Sequence, residues 1–238
     1  MDIRQQSRAF PGTVERAEID AGLRSYMLRV YNYMASGLAL TGIVAFLVSQ
    51  NPTAVHAIFG TPLYWLVLLA PLGLVFFLSA RITRMQPATA QALYWLYAAL
   101  MGLSMSFIFL VYASDSIARV FFITAGSFAG LSLYGYTTKR DLSPFASFLM
   151  VGLIGVILAS LVNMFFHSTG LQFALSVIGV LVFAGLTAYD TQSIKELYFA
   201  GDDEGVATRK SVMGALRLYL DFLNLFLLLL RLFGSSRN

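Results

Sequence analysis

Hydrophobic residues run through this chain in long blocks that no charge interrupts. Val30–Ala80, Met85–Ser114 and Leu142–Tyr189 contain no Asp, Glu, Lys or Arg. An apolar stretch of about 20 residues crosses the bilayer core as a helix. The first and third blocks are long enough for two spans each if a turn divides them. Turn chemistry supplies the division, at Gln50-Asn51-Pro52-Thr53 and Gly60-Thr61-Pro62 in the first block and at Phe166-His167-Ser168-Thr169-Gly170 in the third. Asp115-Ser116 closes the second block, and Lys139-Arg140-Asp141-Leu142-Ser143-Pro144 separates two further spans. The pattern predicts an all-α integral membrane protein with seven transmembrane helices, over about 30–49, 63–80, 90–112, 117–136, 145–166, 171–194 and 212–233. Residues 1–29 read as a polar cytoplasmic tail ending in a short interfacial helix, and 30–238 as one seven-helix transmembrane domain.

Composition agrees. Of 238 residues 58% are hydrophobic and 12% charged, half the charge of an ordinary soluble domain, and the mean hydropathy is +0.74. A soluble monomer and a disordered chain are excluded. With no cysteine there is no disulfide framework, thiol nucleophile or Cys-based metal site, and two histidines, His56 and His167, are too few for a His-rich zinc site. Both are expected in exposed loops.

The formal net charge of +4 does not point to nucleic acid, because the basic residues sort by loop. With the N-terminus in the cytoplasm, twelve Lys or Arg fall on that side: Arg4, Arg8, Arg16, Arg24, Arg29, Arg81, Arg84, Lys139, Arg140, Lys195, Arg209 and Lys210. Arg119, Arg231 and Arg237 fall opposite, which is the positive-inside pattern and sends the C-terminus outside. A re-entrant last segment would instead return the C-terminal arginines to the cytoplasm. The first span does not read as a cleavable signal peptide, since its polar leader is long and acidic and no A-x-A site follows. A mitochondrial transit peptide is weakened by Asp2, Glu15, Glu18 and Asp20. Tyr64, Trp65, Tyr94 and Trp95 fall near span ends, where aromatic rings favour the interface.

An ionisable side chain in hydrocarbon costs at least about 2.5–3.5 kcal/mol on insertion scales, so each one is a candidate for function. Two acids lie within expected spans, Asp190 in the sixth and Asp221 in the seventh. Consecutive helices joined by a short connection usually pack side by side, which lets the carboxylates meet. Arg217, Asp221 and Asn224 share one face of the seventh helix, and Thr187, Asp190 and Thr191 share one face of the sixth, giving a polar seam. Two carboxylates held close in a low dielectric resist joint ionisation, share a proton and can sense pH. Deprotonated, Asp190 and Asp221 also offer hard oxygen ligands to Ca²⁺ or stations for a proton relay.

Rival chemistries fit less well. An aspartyl protease of the membrane, to which Tyr189-Asp190 is similar, needs Gly-x-Gly-Asp at its second aspartate, whereas Leu218-Tyr219-Leu220 precedes Asp221. A retinal protein needs a lysine in the last helix, and Lys139, Lys195 and Lys210 are all expected in loops. No enzyme and no cofactor is expected. Gly126-x-x-x-Gly130 reads as a close-packing face, Asp202-Asp203-Glu204 as a solvated loop, and Pro71 as a kink in the second helix.

Three ordered motifs resemble the Bax inhibitor-1 family: Lys139-Arg140-Asp141-Leu142-Ser143, Ala188-Tyr189-Asp190-Thr191-Gln192-Ser193-Ile194-Lys195, and Leu216 to Phe226 around Asp221. The similarity spans nearly all of the chain after the tail and is nearest the bacterial inner-membrane branch. It implies six helices around a central seventh, and a pH-sensitive Ca²⁺ leak regulated by an aspartate pair, carried here by Asp190 and Asp221. It also implies a latching arginine at the end of the second helix, which falls on Arg81, with Arg84 as the other candidate. Some members carry an acid earlier in that helix, where this chain reads Leu69-Ala70-Pro71-Leu72. Eukaryotic relatives suppress cell death, a role not carried over here. The expected partners are the lipid bilayer, Ca²⁺ as permeant ion, protons and other membrane proteins, with a monomer as the expected state. A proton-coupled small-solute transporter and a non-conducting scaffold for partner membrane proteins stay open, since each can use an intramembrane acid pair.

Overall fold

A computed structural model describes residues 11–237, with side chains from residue 19 onward. The start of the expected tail, with Arg4 and Arg8, lies outside the described residues. The chain runs α1 (Pro11–Ser49), α2 (Pro52–Phe59), α3 (Leu63–Arg81), a 3₁₀ turn (Ile82–Arg84), α4 (Pro87–Met105), α5 (Ile108–Val111), α6 (Ser114–Thr137), α7 (Ser143–Phe166), α8 (Thr169–Glu196) and α9 (Glu204–Phe233). Among the described residues seven helices are long and apolar enough to span a membrane: α1 from Ile19, α3 with its 3₁₀ turn, α4 continued by α5, α6, α7, α8 and α9.

Two helices begin far earlier than their apolar blocks. α1 starts at Pro11 rather than near residue 30, and α9 at Glu204 rather than near 212. Charge marks the edge of hydrocarbon and does not stop a helix, since Ala, Glu, Leu and Arg are strong helix formers. The expected interfacial segment is therefore the first turns of α1 itself. The stop between α8 and α9 is short and tied down. Asp203 caps α9 by accepting the Val206 N–H at 2.8 Å, and Asp202 pairs with Lys210 at 2.5 Å. Glu204 reaches Arg29 of α1 at 2.6 Å. The acidic run lies at the expected exposed connection, where it also supplies a cap and ion pairs. Lys195 lies in the last turn of α8 and Lys210 inside α9, not in loops.

Other connections are similarly local. Asn51 caps α2, so the first break holds a short helix in which His56 is exposed. Ser106 Oγ donates to Leu103 O at 2.8 Å where α4 gives way to α5. His167 ends α7 in the left-handed conformation at φ 50°, with Asn163 bonded to both the Ser168 N–H and its carbonyl. α3 continues through the buried Pro71.

α9 is the centre of the bundle. It packs against α1, α4, α6 and α8, while α3 rests chiefly on α4 and α7 on α8. The six other helices thus form an inner four and an outer two. α7 buries no residue, as expected for a helix facing lipid on most sides. Tyr219 of α9 is fully buried between Tyr94 and Tyr97 of α4, and its hydroxyl donates to Thr41 Oγ1 at 2.7 Å while Thr41 donates to Ala98 O. Tyr94 is therefore a core residue, not an interfacial one, and its hydroxyl donates to Tyr33 O at 2.7 Å. Tyr64 and Trp65 are exposed at the start of α3.

Because the seven spans alternate, the ends carrying Arg81, Arg140, Lys195 and Arg209 gather at one end of the bundle, the basic end. α9 crosses to the other without re-entering, its 30 residues being roughly 45 Å long. There the chain's last residues are pinned to the α5–α6 connection. Ala113 N–H donates to Ser235 O at 3.0 Å, Ser235 N–H to Ser116 Oγ at 2.9 Å, and Arg237 N–H to Val111 O at 2.9 Å.

The glycines of α6 divide by environment. Gly126 and Gly130, the expected packing pair, face open space, so they bring no helix closer. Gly135 is the glycine of close approach, since a Cβ there would collide with the carbonyl of Ala188 on α8. Gly135→Val should lower stability in detergent by about 1–3 kcal/mol by overpacking. Gly126→Val should leave it nearly unchanged, and thermal unfolding of the two variants checks the contrast.

Candidate functional site

α8 and α9 are antiparallel neighbours whose register is set by two glycines. Gly214 makes room for Ile194, and Gly179 for Leu228. That register puts Asp190 level with Arg217 and Leu218, and Asp221 about one helical turn farther in, roughly 5 Å. Helical side chains lean toward their own N-terminus. Asp190 therefore leans inward and Asp221 leans back toward the basic end, so the two side chains incline toward each other's level.

Asp221 is 5% exposed and its Oδ2 has no hydrogen-bond partner. Asp190 is half-buried. The guanidinium of Arg217 acts electrostatically on both acids and on the hydroxyl of Tyr26, yet it closes no ion pair with either acid. Tyr26 Oη is itself buried without a partner, stacked near Tyr198 at 5.7 Å between ring centroids and within the field of Asp202. Two unpartnered buried oxygens thus lie within the electrostatic influence of one half-buried cation.

The other residues of the expected seam are occupied elsewhere. Asn224 Nδ2 donates to Leu220 O at 2.8 Å, and Thr187 Oγ1 to Phe183 O at 2.8 Å, both within their own helices. Thr191 Oγ1 donates to Thr187 O at 2.7 Å and joins Ser132 Oγ of α6 at 2.9 Å, which meets Tyr31 Oη of α1 at 2.6 Å. Arg81 is exposed at the end of α3 and makes no ion pair among the described residues, and Arg84 is exposed in the 3₁₀ turn. The cation that faces the pair is Arg217. Asp190 and Asp221 offer four carboxylate oxygens at most, against the six to eight that Ca²⁺ takes. Among the described residues no group of three or more His, Asp or Glu gathers to hold a metal ion.

Tyr26 was hidden because it sits among the charges of the tail. The motif around Lys139–Ser143 acquires a partner: Gln192, two residues after Asp190, accepts the Leu142 N–H at 2.8 Å and donates to Arg140 O at 2.8 Å. It fastens the α6–α7 connection to the acid-bearing helix. Lys195 Nζ donates to Tyr136 O at 2.9 Å nearby.

Fold and site together define a multispan membrane protein with a buried acid on its central helix. The chain belongs to the family described as "Inhibitor of apoptosis-promoting Bax1", whose model matches residues 23–238. It is 46% identical over 231 residues to the Escherichia coli inner membrane protein YbhL, covering 96% of this chain and 99% of that one. An uncharacterized protein of Rickettsia prowazekii is 47% identical over 226 residues, covering 95% and 96%. An uncharacterized membrane protein of Streptococcus pyogenes is 37% identical over 220 residues, covering 91% and 95%.

Two outcomes follow from these contacts. Ser143 N–H donates to Asp141 Oδ1 at 2.9 Å, which holds that carboxyl below its ordinary 3.8. The contact therefore supports the start of α7 above that pH and is lost as pH falls through the lower native value. Protection of the Ser143 amide, measured by hydrogen exchange corrected for intrinsic rate, should drop on that acid side, and Asp141→Asn should abolish the dependence. Separately, Tyr219→Phe should cost about 1 kcal/mol for a lost buried hydrogen bond, whereas Tyr26→Phe should be neutral or stabilising, since its hydroxyl is buried unpaired. Thermal unfolding in detergent compares them.

Proposed function

We propose that this protein is a pH-sensitive Ca²⁺ leak of the bacterial inner membrane, gated by the shared proton of Asp190 and Asp221. The observation that carries this reading is the pair itself: Asp221, almost wholly buried on the central helix, facing Asp190 with one carboxylate oxygen unpartnered. A carboxylate kept so deep against an insertion cost of at least about 2.5–3.5 kcal/mol marks an ion or proton pathway. Family membership and the kinship to an inner membrane protein support the setting. The excess of Lys and Arg at one end of the bundle supports a cytoplasmic N-terminus and an external C-terminus.

In this mechanism Ca²⁺ is cargo, not a resident cofactor. The ion passes the pair by exchanging part of its water shell for carboxylate oxygens. Arg217, level with Asp190, opposes a cation lodging there and keeps the closed pair charge-compensated. Loss or gain of the shared proton changes the net charge beside Arg217, and α8 and α9 shift against each other to open or close the path. Arg81, exposed at the same end, is available as a latch on the α3 side. The reading involves no enzymatic step.

Reconstitution in liposomes loaded with a Ca²⁺ dye tests it. The parent protein should pass Ca²⁺ at a pH-dependent rate. Asp190→Asn combined with Asp221→Asn should remove the pH dependence and change the flux at least tenfold, the effect of about 1.4 kcal/mol on the barrier. Flux and pH profile both unchanged in that variant would overturn the proposal.

A further inference from the structure

α1 and α6 both rest on α9, but α1 turns its main packing face to α4 and α6 turns its own to α8. Between them runs an apolar cleft of about 680 Å³, continued by a second hollow of about 290 Å³ that shares Leu38, Phe121 and Phe222 with it. Small side chains make the space: Ala35 and Ala39 on α1 stand opposite Ala125 and Ala129 on α6. Phe222 of α9, the residue after Asp221, forms part of the floor.

We infer that this cleft is a binding site for one anionic phospholipid, with an acyl chain lying between α1 and α6 and its phosphate held at Arg24. The lining calls for hydrocarbon. Its two hydroxyls in the deeper wall, Tyr31 and Ser132, are bonded to each other at 2.6 Å, and Ser132 also to Thr191, so neither needs a polar partner from the ligand. The mouth calls for negative charge. Arg24 lines the cleft six residues before the uncharged block that begins at Val30, roughly 9 Å along α1, is exposed, and makes no ion pair among the described residues. Asp20, one turn earlier on α1, is the acid nearest it in that helix. Lys195, whose ammonium lies 5.7 Å above the Tyr136 ring at the same mouth, adds positive potential. A long arginine can keep its stem along apolar surface and its guanidinium at headgroup level. Basic pockets between transmembrane helices are a recurrent way of holding acidic headgroups. This assignment stands independently of ion conduction, since it uses neither aspartate.

Native mass spectrometry of the full chain, stripped of lipid in mild detergent and titrated with phosphatidylglycerol or phosphatidylcholine of the same acyl chains, tests it. One phosphatidylglycerol should be retained per chain, about fivefold more tightly than phosphatidylcholine, the preference one basic residue near a headgroup provides. Arg24→Gln, a surface change, should bring the two lipids to parity. Ala125→Leu with Ala129→Leu, with helicity checked by circular dichroism, should fill the cleft and release the lipid. Equal retention of both lipids by the parent protein would overturn the inference. So would phosphatidylglycerol binding that survives Arg24→Gln unweakened, or a cleft closed by a second copy, seen as a lipid-free dimer. Lipid uptake that appears only after residues 1–10 are removed would assign the cleft to the chain's own N-terminus and overturn it equally.

Discussion

A carboxylate cannot be left alone in hydrocarbon, and this bundle is arranged around that constraint. Asp221 sits almost wholly buried on α9, the helix every inner neighbour touches, with no cation in contact and Asp190 about one turn away on α8. In the proposed mechanism the two acids hold together through a shared proton. Arg217 supplies compensating charge from nearby without quenching either acid in an ion pair. In the proposed mechanism that arrangement keeps the pair responsive, where a direct salt bridge would fix it and an apolar replacement would silence it.

The surroundings hold that geometry in place. Gly135, Gly179 and Gly214 allow α6, α8 and α9 to approach closely and set the levels of Asp190 and Asp221. Gln192 ties the α6–α7 connection to the helix that carries Asp190, and the Asp202–Lys210 and Arg29–Glu204 pairs close the basic end over it. At the far end the last residues are stitched to the α5–α6 connection, which anchors α9 along its length. The flank between α1 and α6 is the exception, an apolar cleft with Phe222, the neighbour of Asp221, in its floor.

Much of this was legible in the residues. Uncharged blocks located five of the seven spans and sparsely charged apolar runs the other two, because hydropathy is what the bilayer selects. The scarcity of charge singled out Asp190 and Asp221. Helix starts were misplaced at Pro11 and Glu204, since charged helix formers look like loops to a hydropathy count. Tyr94 looked interfacial by position along the chain, yet it faces the core, which depends on helix rotation. Gly126 and Gly130 had the spacing of a packing motif but face open space, while Gly135 does the packing. Arg217 was expected as part of the seam, but its level with Asp190 follows from the α8–α9 register, which spacing within one helix cannot reveal. Tyr26 was out of reach for the same reason, its partners lying on other helices.

The central claim is that Asp190 and Asp221 titrate as one unit through a shared proton. Infrared difference spectroscopy of the protein in liposomes, stepped in pH, observes the protonated carboxyl stretch directly. The account predicts a single carboxyl band that titrates in the parent protein and disappears in Asp190→Asn and in Asp221→Asn alike. A band that persists unaltered in either variant would contradict it.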